Sequence, residues 1–357
     1  MRIVILDRRF SHHSAYSGYP QLIERQPSGV EVERLSGWLP RGLPEAAVER
    51  LTRRTGHAAY TRESMSYEAA ALRHMARSPR AIYHVLYGED DYHYLARVAP
   101  LLRRRGGRLA VSFHQPPDIF DFAVPARSAA RILPRLDAAL VTTTEQAEHL
   151  AHWMDPERIH RVPHGVDVDF FSPSPEPSRA NGDHTHLRCI TVGMWQRDFV
   201  LLEQVMRAAA DRALPLRFTV VADEQVATEF GAIPGVDGYN GISDEHLRDL
   251  YRESDLLLLP LTQAAANNSL LEGMACGLPV VSSRVGGVAE YLGGTGAGRL
   301  VPPFQPEAML DALCELAAEP RVRAAMGDAS RRRALEFDWQ LSADALSGVY
   351  RALSKTA

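Results

Sequence analysis

Lysine is all but missing from this sequence: among 357 residues the only one is Lys355. That removes every P-loop, in which Gly-Lys-Ser/Thr grips a nucleotide's phosphates, and every internal Schiff-base lysine. Whatever phosphate the chain holds, it holds with arginine and backbone N–H groups. Cysteine is scarce too. Cys189, Cys276 and Cys314 are far apart and odd in number, which argues against a disulfide framework and a zinc cluster and leaves them as small buried residues. No apolar run approaches the roughly 20 residues needed to cross a bilayer. The start, Met1-Arg2-Ile3-Val4-Ile5-Leu6, lacks a signal peptide's apolar core and cleavage site and reads as a first strand. The expected location is cytoplasmic, with any membrane contact peripheral and at the inner face. The dinucleotide fingerprint G-x-G-x-x-G is missing as well, since Leu6 runs into DRRFSHHSAYSG and the glycines of GGTGAG (293–298) have the wrong spacing. A nicotinamide dehydrogenase is therefore disfavoured. Nor is there a strong charge of one sign: 23 basic residues face 20 acidic ones over positions 1–170, and 17 face 24 over the rest. Neither half reads as a nucleic-acid binder.

What is present is a 45% hydrophobic chain, long enough for two α/β domains with separate cores. Short β-rich runs alternate with helical patterns: RIVILD (2–7), VEVERL (30–35), AIYHVLY (81–87), RLAVSFH (108–114), AALVTTT (138–144) and IHRVP (159–163). That rhythm predicts a parallel sheet covered on both faces. The rhythm then stops at SPSPEPSRANGDHTH (172–186), which reads as a linker. It restarts with LRCITVG (187–193), RFTVVAD (217–223), DLLLLPL (255–261), PVVSS (279–283) and GRLVP (298–302). The expected class is α/β, with two tandem Rossmann-like, doubly wound domains facing across a cleft. The expected boundaries are 1–171 for the first domain, 172–186 for the linker and 187–336 for the second. The amphipathic tail, about 337–357, packs on either domain and is expected to return to the first.

One stretch, AAANNSLLEGMACGLPVVSS (264–283), carries more than a fold signal. A helix opening on Asn267, Asn268 and Ser269 presents unpaired N–H groups and the positive end of its dipole, where anions settle. Those residues also cap helices with no ligand in view. Glu272, one turn inside an apolar segment, exceeds what capping requires. A carboxylate there can accept hydrogen bonds from the vicinal hydroxyls of a ribose while the N–H groups hold its phosphates.

At this point the sequence resembles the retaining glycosyltransferases of family 4, which have the GT-B fold. The resemblance is carried by VPHGVDVDFFSP (162–173), TVGMWQRDFVLLEQV (191–205), GISDEHLRDLYRESDLLLLPL (241–261), the stretch above, and VGGVAEYL (285–292). It implies a transfer of sugar from a UDP- or GDP-sugar to an acceptor with the anomeric configuration kept. Glu272 would bind the ribose, and the N–H groups of Ser269, Leu270 and Leu271 would face the pyrophosphate, with Gly193, Asn240, Asn267 and Asn268 in the donor-binding set. Family members have an arginine and then a lysine after the first strand of the second domain; this chain offers Arg197 alone, in Trp195-Gln196-Arg197-Asp198. Arginine suits a diphosphate because its planar fork donates two parallel hydrogen bonds. Pairing of Arg197 with Asp198 is the plain alternative. A second family glutamate, eight residues before Glu272, is Ala264 here. The resemblance places His114, at the end of RLAVSFH, against the sugar. His114, Arg197 and Glu272 are thus the expected catalytic set, with no metal and no cofactor, the nucleotide sugar being a co-substrate.

The loop SHHSAYSGY (11–19), with His12, His13, Tyr16 and Gly18, lies where this fold presents groups to an acceptor or a phosphate, or merely closes over the sheet. Glu145, Glu148, His149 and His152 suggest a metal site less well than a solvated helix face, and Glu89-Asp90-Asp91 resembles an acidic metal cluster only superficially. The acceptor is a saccharide, a lipid or a natural product. The arginines of 50–54 and 103–108 permit contact with an anionic membrane. Two other readings stand beside transfer: a GT-B protein that binds a nucleotide sugar without turning it over, and a nucleotide-sugar epimerase.

Overall fold

The computed structural model describes residues 1–6, 8, 15–26, 30–175 and 185–355. Two contact-dense units emerge, each a six-stranded, all-parallel sheet flanked by helices. The first runs β1 (Arg2–Leu6), α1 (Pro20–Glu24), β2 (Glu31–Leu35), α2 (Glu45–Thr55), α3 (Arg62–Arg77), β3 (Ile82–Val85), α4 (His93–Arg104), β4 (Arg108–Ser112), α5 (Pro117–Ala123), α6 (Ala126–Ile132), β5 (Ala138–Val141), α7 (Thr144–Leu150) and β6 (Ile159–Arg161). The strands lie in the order β2-β1-β3-β4-β5-β6. β3, β4 and β5 are buried along their whole length, the mark of strands covered on both faces.

The second unit runs β7 (Leu187–Val192), α8 (Phe199–Asp211), β8 (Leu216–Val221), α9 (Glu224–Gly231), β9 (Val236–Tyr239), α10 (Asp244–Glu253), β10 (Leu256–Leu259), α11 (Asn268–Ala275), β11 (Val280–Ser283), α12 (Val288–Leu292), β12 (Gly298–Val301), α13 (Pro306–Ala318) and α14 (Pro320–Ala334). Its order, β12-β11-β10-β7-β8-β9, is the Rossmann order, with the direction of winding reversing between β7 and β10. Ligands of such sheets sit beyond the carboxyl ends of the strands at that reversal. The segments leaving β7 and β10 are the ones that carry Arg197 and Glu272.

All eleven expected strands form, and β9 is one more. Val236-Asp237-Gly238-Tyr239 has only two apolar residues and lies at the sheet edge with Asp237 and Gly238 exposed, so it has no buried face to show as a pattern.

The second unit takes in residues from His164 to Trp339 together with the short segment bearing Tyr16 and Gly18. The last helix, α15 (Trp339–Lys355), belongs from Gln340 onward to the first unit. There Tyr350 Oη meets His84 Nδ1 at 2.6 Å and Ser347 Oγ donates to Gln26 Oε1 at 2.6 Å. Among the described residues no helix is long and apolar enough to cross a membrane.

Candidate active site

The segment after β7 turns sharply. Gly193 has φ +95°, and a Cβ there would stand 3.0 Å from Arg197 Nη2, so both conformation and space call for glycine. Gln196 takes a left-handed φ of 57° without being glycine. Thr262 holds it: its N–H donates to Gln196 O at 3.0 Å and its hydroxyl to Gln196 Oε1 at 2.7 Å. Strain of this kind persists where the surroundings over-determine it. Here it turns Arg197 back beneath the strand end.

Arg197 is half-buried, and its guanidinium is held by the protein on all three nitrogens. Nε and Nη2 donate to Val192 O at 2.9 and 2.6 Å, Nη1 to Trp195 O at 3.0 Å, and Nη2 to Ser269 Oγ at 2.5 Å, with Asn267 Oδ1 at 3.4 Å. Burial lowers its pKa to about 10, so it remains a cation at neutral pH. Asp198 is not its partner. That carboxylate caps α8, accepting from Leu201 N at 2.9 Å. Arg197 is thus a strut between the β7 end and the start of α11.

Asn267 is the N-cap of α11: its Oδ1 accepts from Leu270 N at 3.0 Å and from Ser269 Oγ at 2.8 Å. Leu271 N bonds to Asn267 O at 3.3 Å. Two of the three N–H groups expected to face a pyrophosphate are therefore taken up within the helix start. Those of Asn268 and Ser269 have no partner among the described residues. The Asn268 side chain accepts from Nε2 of His164, a buried residue whose backbone N–H donates to Tyr291 Oη at 2.9 Å. His164 has no signal in the sequence beyond its place in VPHGVDVDFFSP (162–173).

Glu272 is 6% exposed. Its Oε2 accepts from Tyr251 Oη at 3.0 Å, and among the described residues Oε1 has no hydrogen-bond partner. Burial pushes the carboxyl up to about 7, with Asp244 adding to the rise and Tyr251 and Arg197 opposing it. The result is a recessed acceptor beside a fixed cation and a helix start. Ala264 is buried in the apolar core of this unit. Asn240 is exposed past β9, with no hydrogen bond to this group among the described residues.

His12 and His13 lie outside the described residues. Tyr16 stacks on Phe170 with centroids 3.6 Å apart, and the Arg248 guanidinium lies 5.0 Å over the same ring. Gly18 is buried in the same segment.

In the first unit, His114 follows β4. Its Nε2 donates to Leu86 O, which fixes the proton on that nitrogen, and its ring stacks on Tyr19 with centroids 3.5 Å apart. Of the residues that suggest a metal site less well than a solvated helix face, His149 pairs with Asp121 at 2.9 Å and His152 lies beyond the end of α7, its Nδ1 2.9 Å from His149 O. Among the described residues no group of three or more His, Cys, Asp or Glu is arranged to hold a metal.

The family model for group 1 glycosyl transferases matches residues 188–319, the unit that contains Arg197 and Glu272. A GDP-mannose-dependent alpha-(1-6)-phosphatidylinositol monomannoside mannosyltransferase of Mycolicibacterium smegmatis is 30% identical over 274 residues, covering 69% of this chain and 70% of that one. The chain belongs to the group 1 glycosyltransferases. An MMP alpha-(1->4)-mannosyltransferase of Mycolicibacterium hassiacum is 29% identical over 247 residues, 67% of this chain and 59% of that protein, so this match spans less than two thirds of the relative's length. By structure the chain is similar to sucrose-phosphate synthase from Thermosynechococcus elongatus, with a TM-score of 0.73, 18% identity and 100% of both chains covered. That likeness is one of fold, the GT-B architecture.

Proposed function

We propose that this protein transfers a sugar from a UDP- or GDP-sugar to an acceptor, with retention at the anomeric carbon and without a metal ion. The observation that carries the reading is the pairing, at the winding reversal, of a buried carboxylate with an unspent oxygen and a guanidinium fixed at the start of α11. Glu272 Oε1 is suited to accept from ribose hydroxyls, and Arg197 with the N–H groups of Asn268 and Ser269 is suited to a diphosphate. Arg197 has to exchange Ser269 or Trp195 for phosphate oxygens as the donor binds. As the glycosidic bond breaks, negative charge grows on the leaving diphosphate, and a preorganised cation stabilises it. The departing phosphate oxygen then accepts the proton of the acceptor hydroxyl, which attacks from the same face, so no carboxylate nucleophile is needed. His114 is assigned to the substrate side of the first unit.

A GDP-mannose-dependent mannosyltransferase is among the relatives, which makes GDP-mannose the first probe to try. Thermal shift with GDP-mannose and UDP-glucose, followed by release of GDP or UDP from the donor that binds, tests the reading. Turnover to free sugar, or transfer to an acceptor, supports catalysis. Binding of both donors with no turnover under any acceptor would leave a binder without transfer activity.

A further inference from the structure

The corner that presents His114 is held by a residue outside the active set. Glu89 is 6% exposed, and its Oε1 accepts two backbone N–H bonds, from His114 N at 2.6 Å and Gln115 N at 2.7 Å. It can reach them because the preceding residue is Gly88. Gly88 N donates to Ser112 O at 2.8 Å, and a Cβ on Gly88 would lie 2.7 Å from that same carbonyl oxygen and 2.5 Å from Val111 Cγ1. Only a glycine lets the β3–α4 segment approach the end of β4 so closely. From the other side, Gln146 Nε2 donates to Phe113 O at 3.3 Å and Gln115 O at 2.9 Å. The imidazole itself is tied to Leu86 O, on the segment that leads into Gly88.

The N–H groups of His114 and Gln115 and the carbonyls of Phe113 and Gln115 are thus met by buried side chains, Phe113 N donates to Leu140 O at 2.8 Å, and the ring is met by a carbonyl from the Glu89 segment. Glu89 meets donors of this turn and Gln146 meets its acceptors, so the two side chains hold different groups. Together they fix the direction in which His114 leaves the sheet. Asp90 and Asp91, the neighbours of Glu89, point instead to Arg8, at 3.5 and 3.9 Å. The acidic trio is therefore not one cluster, and Glu89 is the member turned toward β4.

We propose that Glu89 is the positioning residue for His114, acting through the two backbone N–H bonds to set the orientation of the imidazole and so its Nε2–H bond to Leu86 O. The proposal rests on the reading of His114 as a substrate-side group, and its test separates the two. Ring-nitrogen spectra of histidine-labelled full-length protein, with His114 assigned by difference against His114→Ala, should show one neutral tautomer with the proton on Nε2. In Glu89→Ala the two ring signals should move toward averaging, whereas Glu89→Gln, whose amide oxygen still accepts both N–H groups, should keep the wild-type pattern. Release of nucleotide from GDP-mannose or UDP-glucose should fall about ten- to a hundredfold in kcat for Glu89→Ala, the usual cost of misplacing a reacting group. KM should stay near wild type and Gln should restore most of the rate. The double variant Glu89→Ala/His114→Ala should be no slower than His114→Ala alone. If Glu89→Ala does not fold, Glu89→Asp, too short to reach both N–H groups, carries the same test. Unchanged His114 ring signals in Glu89→Ala or Glu89→Asp overturn the proposal. Normal turnover in His114→Ala together with altered ring signals in the Glu89 variant leaves the positioning intact and overturns the substrate-side role of His114.

Discussion

Replacing Arg197 tests the second unit most directly, because its guanidinium does two jobs that a single assay would confuse. In the free protein it bonds to Val192 O, Trp195 O and Ser269 Oγ. Hydrogen bonds to charged groups contribute about 1.5–3 kcal/mol each, with non-additive sums, and a buried acceptor left unpaired costs about 1–3 kcal/mol. Trp195 is 63% exposed, so water can replace the bond to its carbonyl. Val192 and Ser269 are buried; Val192 O would lose both guanidinium bonds, while Ser269 Oγ would keep its bond to Asn267 Oδ1. Arg197→Ala should therefore lose about 2–4 kcal/mol of stability. At roughly 2–4 °C per kcal/mol for a unit of this size, its melting temperature should fall by about 4–16 °C. Arg197→Lys keeps one charge and can satisfy either Val192 or Ser269 but not both in a planar fork, so its loss should be about half. Turnover should follow the same order, with Ala slower by at least about a hundredfold, because charge on the diphosphate grows in the transition state. The measurements are melting curves and nucleotide release from the bound donor, both at a temperature where all three proteins are folded. An unchanged melting temperature for Ala would refute the strut, and near-wild-type turnover in a folded Ala variant would move the diphosphate to another arginine, with Arg284 the first to examine.

Two further outcomes follow from the geometry. Burial holds His84 at about 3, so between pH 3 and 6.5 the folded protein binds fewer protons than the unfolded chain. Its contribution is complete above pH 6.5 and is lost as the pH falls, by about 2 kcal/mol at pH 5. Because Glu68, raised to about 8 by burial, acts in the opposite direction, the readout is the difference between wild type and His84→Gln in denaturant stability at pH 7 and pH 5; parallel curves would refute it. A chelator such as EDTA should leave nucleotide release from the sugar donor unchanged, and a loss restored by magnesium or manganese would sink the metal-free mechanism.

The strands were legible because parallel strands buried on both faces are written as unbroken apolar runs, LLLL of β10 being the plainest. The edge strand β9 was not, since half of its four residues face solvent. Glu272 could be singled out because a lone acid in an apolar helix is a chemical anomaly visible in one dimension. What Arg197 bonds to was not visible: its acceptors include two backbone carbonyls, and every residue has one. Glu89 was hidden for the same reason, as its partners are backbone N–H groups 25 and 26 residues away. It looked like one of three adjacent acids because sequence shows adjacency and not direction. His164 was masked differently, as its partner Asn268 lies 104 residues on and no period or spacing links them.

The buried acids separate by how their oxygens are used, and this yields a test of Glu272 that needs no substrate. Glu68 accepts from Tyr60 Oη at 2.5 Å and from the N–H groups of Tyr94 and Leu95 at 2.8 and 2.9 Å, closing the start of α4. Glu89 accepts two backbone bonds in the same way. Asp91 lies 3.9 Å from Arg8. Glu272 has a single hydroxyl donor among the described residues and a carboxyl raised to about 7 by burial. A raised carboxyl contributes fully below its unfolded pKa near 4.5, and that contribution is lost as the pH rises through 7. At pH 8 the ionised group therefore costs the fold about 2–3 kcal/mol, a cost typical of a group kept for binding. Glu272→Gln, similar in volume and always neutral, should then be about 1–3 kcal/mol more stable than wild type at pH 8 and no more stable at pH 5, where wild type is already protonated. The same variant should lose the thermal shift that GDP-mannose or UDP-glucose gives the wild type, because an amide presents one acceptor oxygen to a pair of ribose hydroxyls. A Gln variant that is less stable at pH 8 and still binds the donor would make Glu272 a structural residue like Glu68, and the ribose would have to be sought elsewhere.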